Sequence, residues 1–368
     1  MPAGRPEVPQ HAKEATGMVL LGVDPHKDTH TVVAVDQAGR QLDQRTVPAR
    51  TLGHGELVGW ARMHWPDRLW AVEDCRHVTG RLERDLLAAG ERVVRVPPRL
   101  MAGARQAVRV QGKSDPIDAL AVARAALREP TLPVAQHDQA SWEVRLLVDH
   151  REHLVAERTR TINRLRWHLH QLDPDLERAT RRLPGPGLRR ITAWLEHATA
   201  DPGSMVQVMI CQAQVTAIQA LTDQIGQLDR QLRQRVAQQA PSLLSLPGCG
   251  PLTAAKLIAE TAGVARFRSE ACFAMHAGVA PIPVSSGRTD RHRLSRGGNR
   301  QLNAALHRIA ITQLRLSGPG QRYYQRRRAH GDGTGEAVRA LKRRIARAVY
   351  QRLRAALPPA DIVHTAAA

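Results

Sequence analysis

The sequence predicts an α/β fold joined to a helical one: a mixed sheet with flanking helices, then a long helical arm, then a mostly helical C-terminal domain. Three observations carry that expectation. Apolar runs with strand spacing crowd between Met18 and Ala49, strand and helix periods alternate from Gly53 to Pro97, and Ser141 to Ala240 keeps helical spacing almost throughout.

The strands come first. MVLLGVD, THTVVAVD and QLDQRTVPA, the last two joined by a turn at QAGR, lie close enough to form an antiparallel meander. GHGELVGWARMH then reads as a helix, LWAVED as a short apolar strand, TGRLERDLLAAG as a helix closed by Gly90, and ERVVRVP as another strand. The order β-β-β-α-β-α-β-α, with three antiparallel strands leading, is shared by the RNase H-like nucleases. In the arm, Leu147, Leu154, Ile162, Leu165, Leu169 and Leu172 fall near helical spacing, while Ile218, Leu221, Ile225, Leu228 and Leu232 alternate steps of three and four. They imply two long helices, antiparallel or dimerising, with LPGPGLRR as a loop or short helical tip between them. LLSLPGCGPLTAAKLIAETAG joins two helices by a tight turn and resembles a helix-hairpin-helix element. Backbone amides around Gly248 and Gly250 would there suit a DNA phosphate, and an ordinary helical turn fits the residues equally well. A last amphipathic helix runs from Gly335 through Val338, Leu341, Ile345, Val349 and Leu353, with arginines on its other face. The expected domains are 18–135, 136–240 and 241–357, between tails at 1–17 and 358–368.

Composition narrows the partners. With 54 Lys plus Arg against 34 Asp plus Glu the formal charge is +20, and arginine's planar fork suits phosphate oxygens, so nucleic acid is the expected polyanion. Aromatic residues make up only 3%, which argues against base-stacking platforms. Cys75, Cys211, Cys249 and Cys272 stand apart with no C-x-x-C pair, so neither a zinc module nor a disulfide framework is indicated and a reducing cytoplasm is expected. MVLLGV is too short to span a membrane and the segment before it lacks a signal peptide's apolar core, so no membrane partner and a disordered tail are expected.

Residues 111–119, QGKSDPIDA, set two aspartates three apart beside Lys113. Capping alone accounts for them, with Asp115 at the N-cap, Pro116 at the first helical position and Asp118 at the third, facing the positive end of the helix dipole. A bound cation accounts for them too, because carboxylates three apart share a helix face and repel. Asp24 closes the first strand and Glu73 closes LWAVED. If those strands are parallel neighbours, both carboxylates emerge at the sheet edge where α/β folds place their sites. Glu73 is preferred to Asp74 because it continues the apolar Val72 into the site. A helix carrying Asp115 and Asp118 across that edge would gather four acids that only Mg²⁺ or Mn²⁺ makes compatible, an arrangement suited to phosphodiester cleavage. His26, Asp28 and His30 alternate with Asp24 and offer a different ligand set, or merely polar hairpin residues.

In GVAPIPVSSGRTDRHRLSRGGNRQLNAAL a Ser-Gly turn precedes Arg288, Arg291, Arg293, Arg296 and Arg300. A hydroxyl ringed by guanidinium groups could attack a phosphate whose developing charge they neutralise, and such arginines could equally do no more than anchor backbone phosphates. GVDPHKDTH, AVEDC, KSDPIDA, LPGCGPLTA and the APIPVSSGR to SRGGNRQL block, in that order from Leu21 to about Ala355, resemble the DEDD-type transposases of the bacterial insertion-sequence one-ten family. The resemblance implies a RuvC-like domain whose catalytic, metal-holding tetrad maps onto Asp24, Glu73, Asp115 and Asp118. A coiled-coil arm would link it to a transposase domain whose serine directly precedes the glycine: Ser286, with Ser285 as the neighbouring alternative. It further implies guidance by a bridge RNA that pairs with donor and target double-stranded DNA, a covalent phosphoserine, strand exchange and a Holliday-like junction. The enzyme would be a homo-oligomer, dimer or tetramer, at the bacterial nucleoid, with tetrad and serine meeting between subunits. Two other readings stay open on the residues: a metal-only nuclease or junction resolvase in which Ser286 only binds DNA, and a non-catalytic architectural DNA-binding protein.

Overall fold

A computed structural model describes residues 17–74, 76–97, 100–101, 114–129, 132, 134–136, 138–180, 183–197, 202–284, 292–293, 295 and 297–357. The chain forms two compact units, one from the described parts of Met1–Asp138, Gly263–Asn299 and Leu357–Ala368, the other from Gln139–Ala262 and Arg300–Ala356.

In the first unit, Val19–Pro25 (β1), Thr29–Val35 (β2) and Gln41–Pro48 (β3) form the expected antiparallel meander. Arg68–Glu73 (β4) pairs in parallel with β1, and Val93–Val96 (β5) in parallel with β4, giving the order β3-β2-β1-β4-β5. The alternation of strand side chains then assigns the two faces. Val19, Leu21 and Val23 turn toward Thr51–His64 (α1) and Arg76–Ala88 (α2), where Trp60, Trp65, Trp70, Leu57, Leu82 and Leu86 fill the core. Leu20, Val33, Val35 and Ala71 turn toward Asp115–Arg128 (α3), whose contribution is small: Ala119, Ala121, Val122, Ala123, Ala125 and Ala126. Gly90, left-handed at φ +78, ends the turn after α2 as the sequence suggests.

Glu91 anchors the edge beyond that turn. Its buried carboxylate accepts from Arg68 at 2.6 and 2.7 Å, from Arg62 Nε at 3.0 Å and from the Trp70 indole at 2.9 Å. Burial alone would raise its pKa, yet the bonds from Arg68 and Trp70 hold it below the ordinary glutamate value. The same unit contains Glu270–His276 (α4), N-capped by Ser269, and a two-stranded ribbon of Ile282–Pro283 (β6) and His292–Arg293 (β7).

The second unit is helical. Gln139–Leu172 (α5) and Pro202–Gln239 (α8) are each about 50 Å long or slightly more. Glu143 meets Arg235, Arg151 meets Asp229, Arg158 meets Thr222 and Gln171 meets Gln207, so partner numbers fall as the first numbers rise and the pair is antiparallel. Pro174–Ala179 (α6), capped by Asp173, and Pro186–His197 (α7) close its far end around Leu165, Leu169, Ile191, Val208, Cys211 and Ile218. Ser204–Gln239 is long and apolar enough to cross a membrane by length and composition, but Val208, Cys211, Val215 and Ile218 are buried against α5 and α7. A 3-10 turn at Pro241–Leu243 leads to Pro251–Thr261 (α9), followed by Arg300–Arg315 (α10), Pro319–Ala329 (α11) and Thr334–Ala355 (α12).

Because Glu91 is the common acceptor for two arginines and an indole, Glu91→Ala strands buried donors and is expected to cost about 3–5 kcal/mol in denaturant unfolding. The wild-type contribution should fade as pH falls through the depressed folded-state pKa of Glu91, because the unfolded carboxyl takes up its proton first.

Candidate active site

Asp24 lies next to the end of β1 and Glu73 is the last residue of β4. The parallel register, which pairs Val23 with Val72, continues so that Asp24 stands beside Glu73 at the carboxyl edge of the sheet. Alternation puts Glu73 on the face of Ala71, toward α3. Its placement is as expected but for a different reason, since Val72 points into the opposite core.

What brings the helix to that edge is Gly22. A Cβ on Gly22 would fall 2.2 Å from Ala119 O and 2.6 Å from Ala123 N, so the backbone of α3 rests directly on β1 two residues before Asp24. The first turn of α3, with Asp115 and the buried Asp118, is thereby delivered to Asp24. Ser114, extended at φ −149° and ψ 151°, occupies the N-cap and makes no side-chain cap bond. Asp115 is therefore not the cap. It is the first helical residue, and its Oδ1 lies 3.2 Å from His26 Nε2, which is also 3.1 Å from Asp24 Oδ2.

Burial pushes the Asp24 carboxyl up to about 6; His26 opposes the rise, and Asp118, Glu73 and Asp115 add to it in that order. All four acids thus act on one point. Asp24, His26 and Asp115 each offer a ligand atom within 4.8 Å of the others. A mostly oxygen donor set around a buried carboxylate that resists ionisation fits a divalent cation of the Mg²⁺ or Mn²⁺ kind, with His26 as a nitrogen donor beside the acids.

The other residues of the first hairpin separate from this group. Asp28 is exposed. His30 faces the opposite core, stacked on His54 with ring centroids 5.1 Å apart, and His54 Nδ1 is 2.6 Å from Asp85 Oδ2. Burial and the neighbouring His54 push His30 down to about 4, which keeps it neutral near pH 7.

Of the nucleic-acid residues, Arg293 is exposed on β7 and Arg300 is exposed at the start of α10. Lys113, Ser285, Ser286, Arg288, Arg291 and Arg296 lie outside the described residues, as do Cys75 and the segments 1–16 and 358–368. Gly248, at φ +83, backs onto α10, where a Cβ would meet Ile309 O and Thr312 Cβ at 3.0 Å. Gly250 is the N-cap of α9 and has open space beside it, and Pro251 contributes no N–H at the first position. Cys211 and Cys249 are buried thiols pushed up to about 11.

Two residues escaped the sequence reading. Gly22 could have been noticed as a glycine inside an otherwise buried strand, the usual mark of close backbone approach. Gly298, in a bend rather than a strand, makes a similarly close approach: a Cβ there would fall 2.1 Å from Gly278 N, and Asn299 N donates to His276 O at 2.7 Å.

Comparison with known proteins gives concordant matches. A sequence profile of DEDD transposases of the IS110 group, described as "Transposase", matches residues 21–174, and one described as "Transposase IS116/IS110/IS902 family" matches residues 240–325. The chain is 29% identical to the insertion element IS116 uncharacterized 44.8 kDa protein of Streptomyces clavuligerus, over 91% of this chain and 94% of that protein. It is 28% identical to the insertion element IS900 uncharacterized 42 kDa protein of Mycobacterium paratuberculosis, over 91% and 96%. Among solved structures, T. thermophilus RuvC in complex with Holliday junction substrate aligns at 17% identity over 32% of this chain and 99% of that one, with a TM-score of 0.26.

Two outcomes follow from the crowded carboxylates. Asp24 has a folded-state pKa above its unfolded one, so its contribution is favourable at low pH and is lost as pH rises through about 6. In EDTA, Asp24→Asn should therefore melt above wild type at pH 7 and converge with it near pH 4, and Mg²⁺ should raise only the wild-type melting temperature. A variant that melts below wild type at pH 7 in EDTA would contradict the crowding. Gly22→Val should keep the far-ultraviolet circular dichroism of the fold yet weaken Mn²⁺ binding, measured calorimetrically, by roughly 10- to 100-fold, because it lifts α3 from β1.

Proposed function

The chain belongs to the IS110 family of DEDD transposases, and from that premise we propose that it is an RNA-guided DNA recombinase of an insertion sequence that uses Ser286 as its nucleophile. As an insertion-element transposase it is a DNA-cutting enzyme. The observation that carries the finer reading is the gathering of Asp24, Glu73, Asp115 and Asp118 at one sheet edge, with Asp24 held up to about 6 by burial and by the other three acids. A RuvC-like, RNase H-like reading of residues 18–135 agrees with the meander followed by parallel strands. Residues 136–240 would be the coiled-coil arm and 241–357 the serine-bearing transposase domain with a helix-hairpin-helix element.

In this reading Asp24, Glu73, Asp115 and Asp118, with His26 alongside, hold Mg²⁺ or Mn²⁺. The chemistry supplied by the bound ions is neutralisation of charge on the scissile phosphodiester. Ser286 Oγ forms a bond to phosphorus as the bond to the leaving sugar oxygen breaks, and the leaving oxygen takes a proton. A sugar hydroxyl of the exchanged strand then attacks the phosphoserine and restores the serine. Arg288, Arg291, Arg293, Arg296 and Arg300 would hold phosphates around that step, Lys113, just ahead of Asp115 in the sequence, would serve the same purpose, and Gly248 and Gly250 shape a turn that a DNA backbone approaches. Base pairing by a bridge RNA with donor and target DNA would carry sequence recognition, and the +20 charge suits holding an RNA and two duplexes at once. The tetrad of one subunit would serve the serine of another in a dimer or tetramer.

Incubating the protein with its guide RNA, Mg²⁺ and cognate duplex should give a denaturant-resistant protein–DNA adduct. Ser286→Ala and Asp24→Ala should each lower strand exchange by roughly 10³-fold or more and remove the adduct. Cleavage that survives Ser286→Ala but not Asp24→Ala would replace this reading with that of a metal-only nuclease, and activity indifferent to both would favour an architectural DNA-binding protein.

A further inference from the structure

Helix α11 is not explained by burial. None of the residues of Pro319–Ala329 is buried, and the helix carries Arg322, Arg326, Arg327 and Arg328. Arg322 and Arg326 are four apart, a spacing at which like charges destabilise an isolated helix. Asp332 relieves the other two, pairing with the Arg327 guanidinium and accepting from Arg328 Nη1 through its backbone oxygen at 2.6 Å. Among the described residues no acidic side chain pairs with Arg322 or Arg326.

These two cations do not stand alone. Together with Arg344 of α12 and the amide of Gln325 they line a groove of about 500 Å³, and no carboxylate lines it. Arg344 lies over the Tyr323 ring with its Cζ 5.0 Å from the centroid, a contact that steadies the guanidinium fork. The start of α11 is fixed as well: a Cβ on Gly320 would fall 2.2 Å from Gln313 Oε1, and Gln313 Nε2 donates to Pro247 O at 2.8 Å. The groove therefore presents three guanidinium groups on anchored helices, with mutual repulsion that no carboxylate among the groove's lining residues discharges.

We propose that this groove docks the sugar–phosphate backbone of duplex DNA without reading bases. Guanidinium forks match phosphate oxygens in pairs, and a concave row of them with no acidic or large apolar lining offers a base edge nothing to select. The proposal rests on the DNA-processing reading above and adds a contact surface to it.

The test is fluorescence anisotropy on the full chain with duplexes of two unrelated sequences, in EDTA to prevent cleavage, over roughly 50–200 mM salt. Arg322→Gln/Arg326→Gln is compared with Arg327→Gln/Arg328→Gln, which removes the same charge from side chains already engaged by Asp332. The first variant should bind both duplexes roughly tenfold more weakly, with a slope of log affinity against log salt smaller by about 1.8. It should also melt no lower than wild type, since a repulsion has been removed. The second should lose much less. Equal losses in the two variants would mean that only net charge matters and would overturn the groove, as would an unchanged slope. Wild-type protein that bound no duplex at all would instead sink the DNA-processing reading.

Discussion

At Gly22 a strand and a helix touch backbone to backbone, and the meeting of the strand acids with the helix acids depends on that contact. An ordinary side chain on Gly22 would overlap Ala119 O, so α3 would have to withdraw from β1. Asp115 and Asp118 occupy the first turn of the same helix, just ahead of the contact at Ala119, and would move with it. The alanine-rich composition of α3 now has a physical reason. Small side chains allow the helix to lie close, and closeness rather than buried area is what this face supplies.

The two faces of the sheet divide the labour accordingly. The face covered by α1 and α2 holds the large residues, including Trp60, Trp65 and Trp70, and it is bordered by the Glu91 cluster, in which a buried acid is fully satisfied by donors. The face covered by α3 holds an acid that is not satisfied. Asp24 is 5% exposed and has carboxylates as neighbours, and His26 opposes the rise in its pKa. Burial of that kind works against stability unless a cation arrives, whereas Glu91 contributes to it. Two buried carboxylates in one small domain therefore have opposite meanings, set by whether their neighbours donate or repel.

Much of this was readable in the residues, and the remainder was hidden for identifiable reasons. The meander and the parallel pairing of β1 with β4 follow from periods and connection order, so the edge shared by Asp24 and Glu73 was legible. The face of Glu73 was assigned through Val72, whereas period-two alternation ties it to Ala71. The aspartates of α3 looked like caps because Asp-Pro has the right chemistry for one, but Ser114 is extended and takes that position. Whether His26 or His30 joined the acids could not be read from alternation alone, because Pro25 ends the strand and His26 lies in the turn, free of the strand's alternation, while His30 on β2 turns to the tryptophan-rich core. In the arm, leucine spacing showed two long helices, but their antiparallel sense needed long-range pairs such as Arg151 with Asp229.

The central claim is that backbone contact at Gly22 assembles a divalent-cation site from Asp24, Glu73, Asp115 and Asp118. Crystals grown with Mn²⁺ and measured for anomalous scattering test it most directly. The account predicts a peak beside Asp24, within reach of Asp115, Asp118 and Glu73. A peak bound elsewhere, or none beside Asp24 at saturating Mn²⁺, would contradict it.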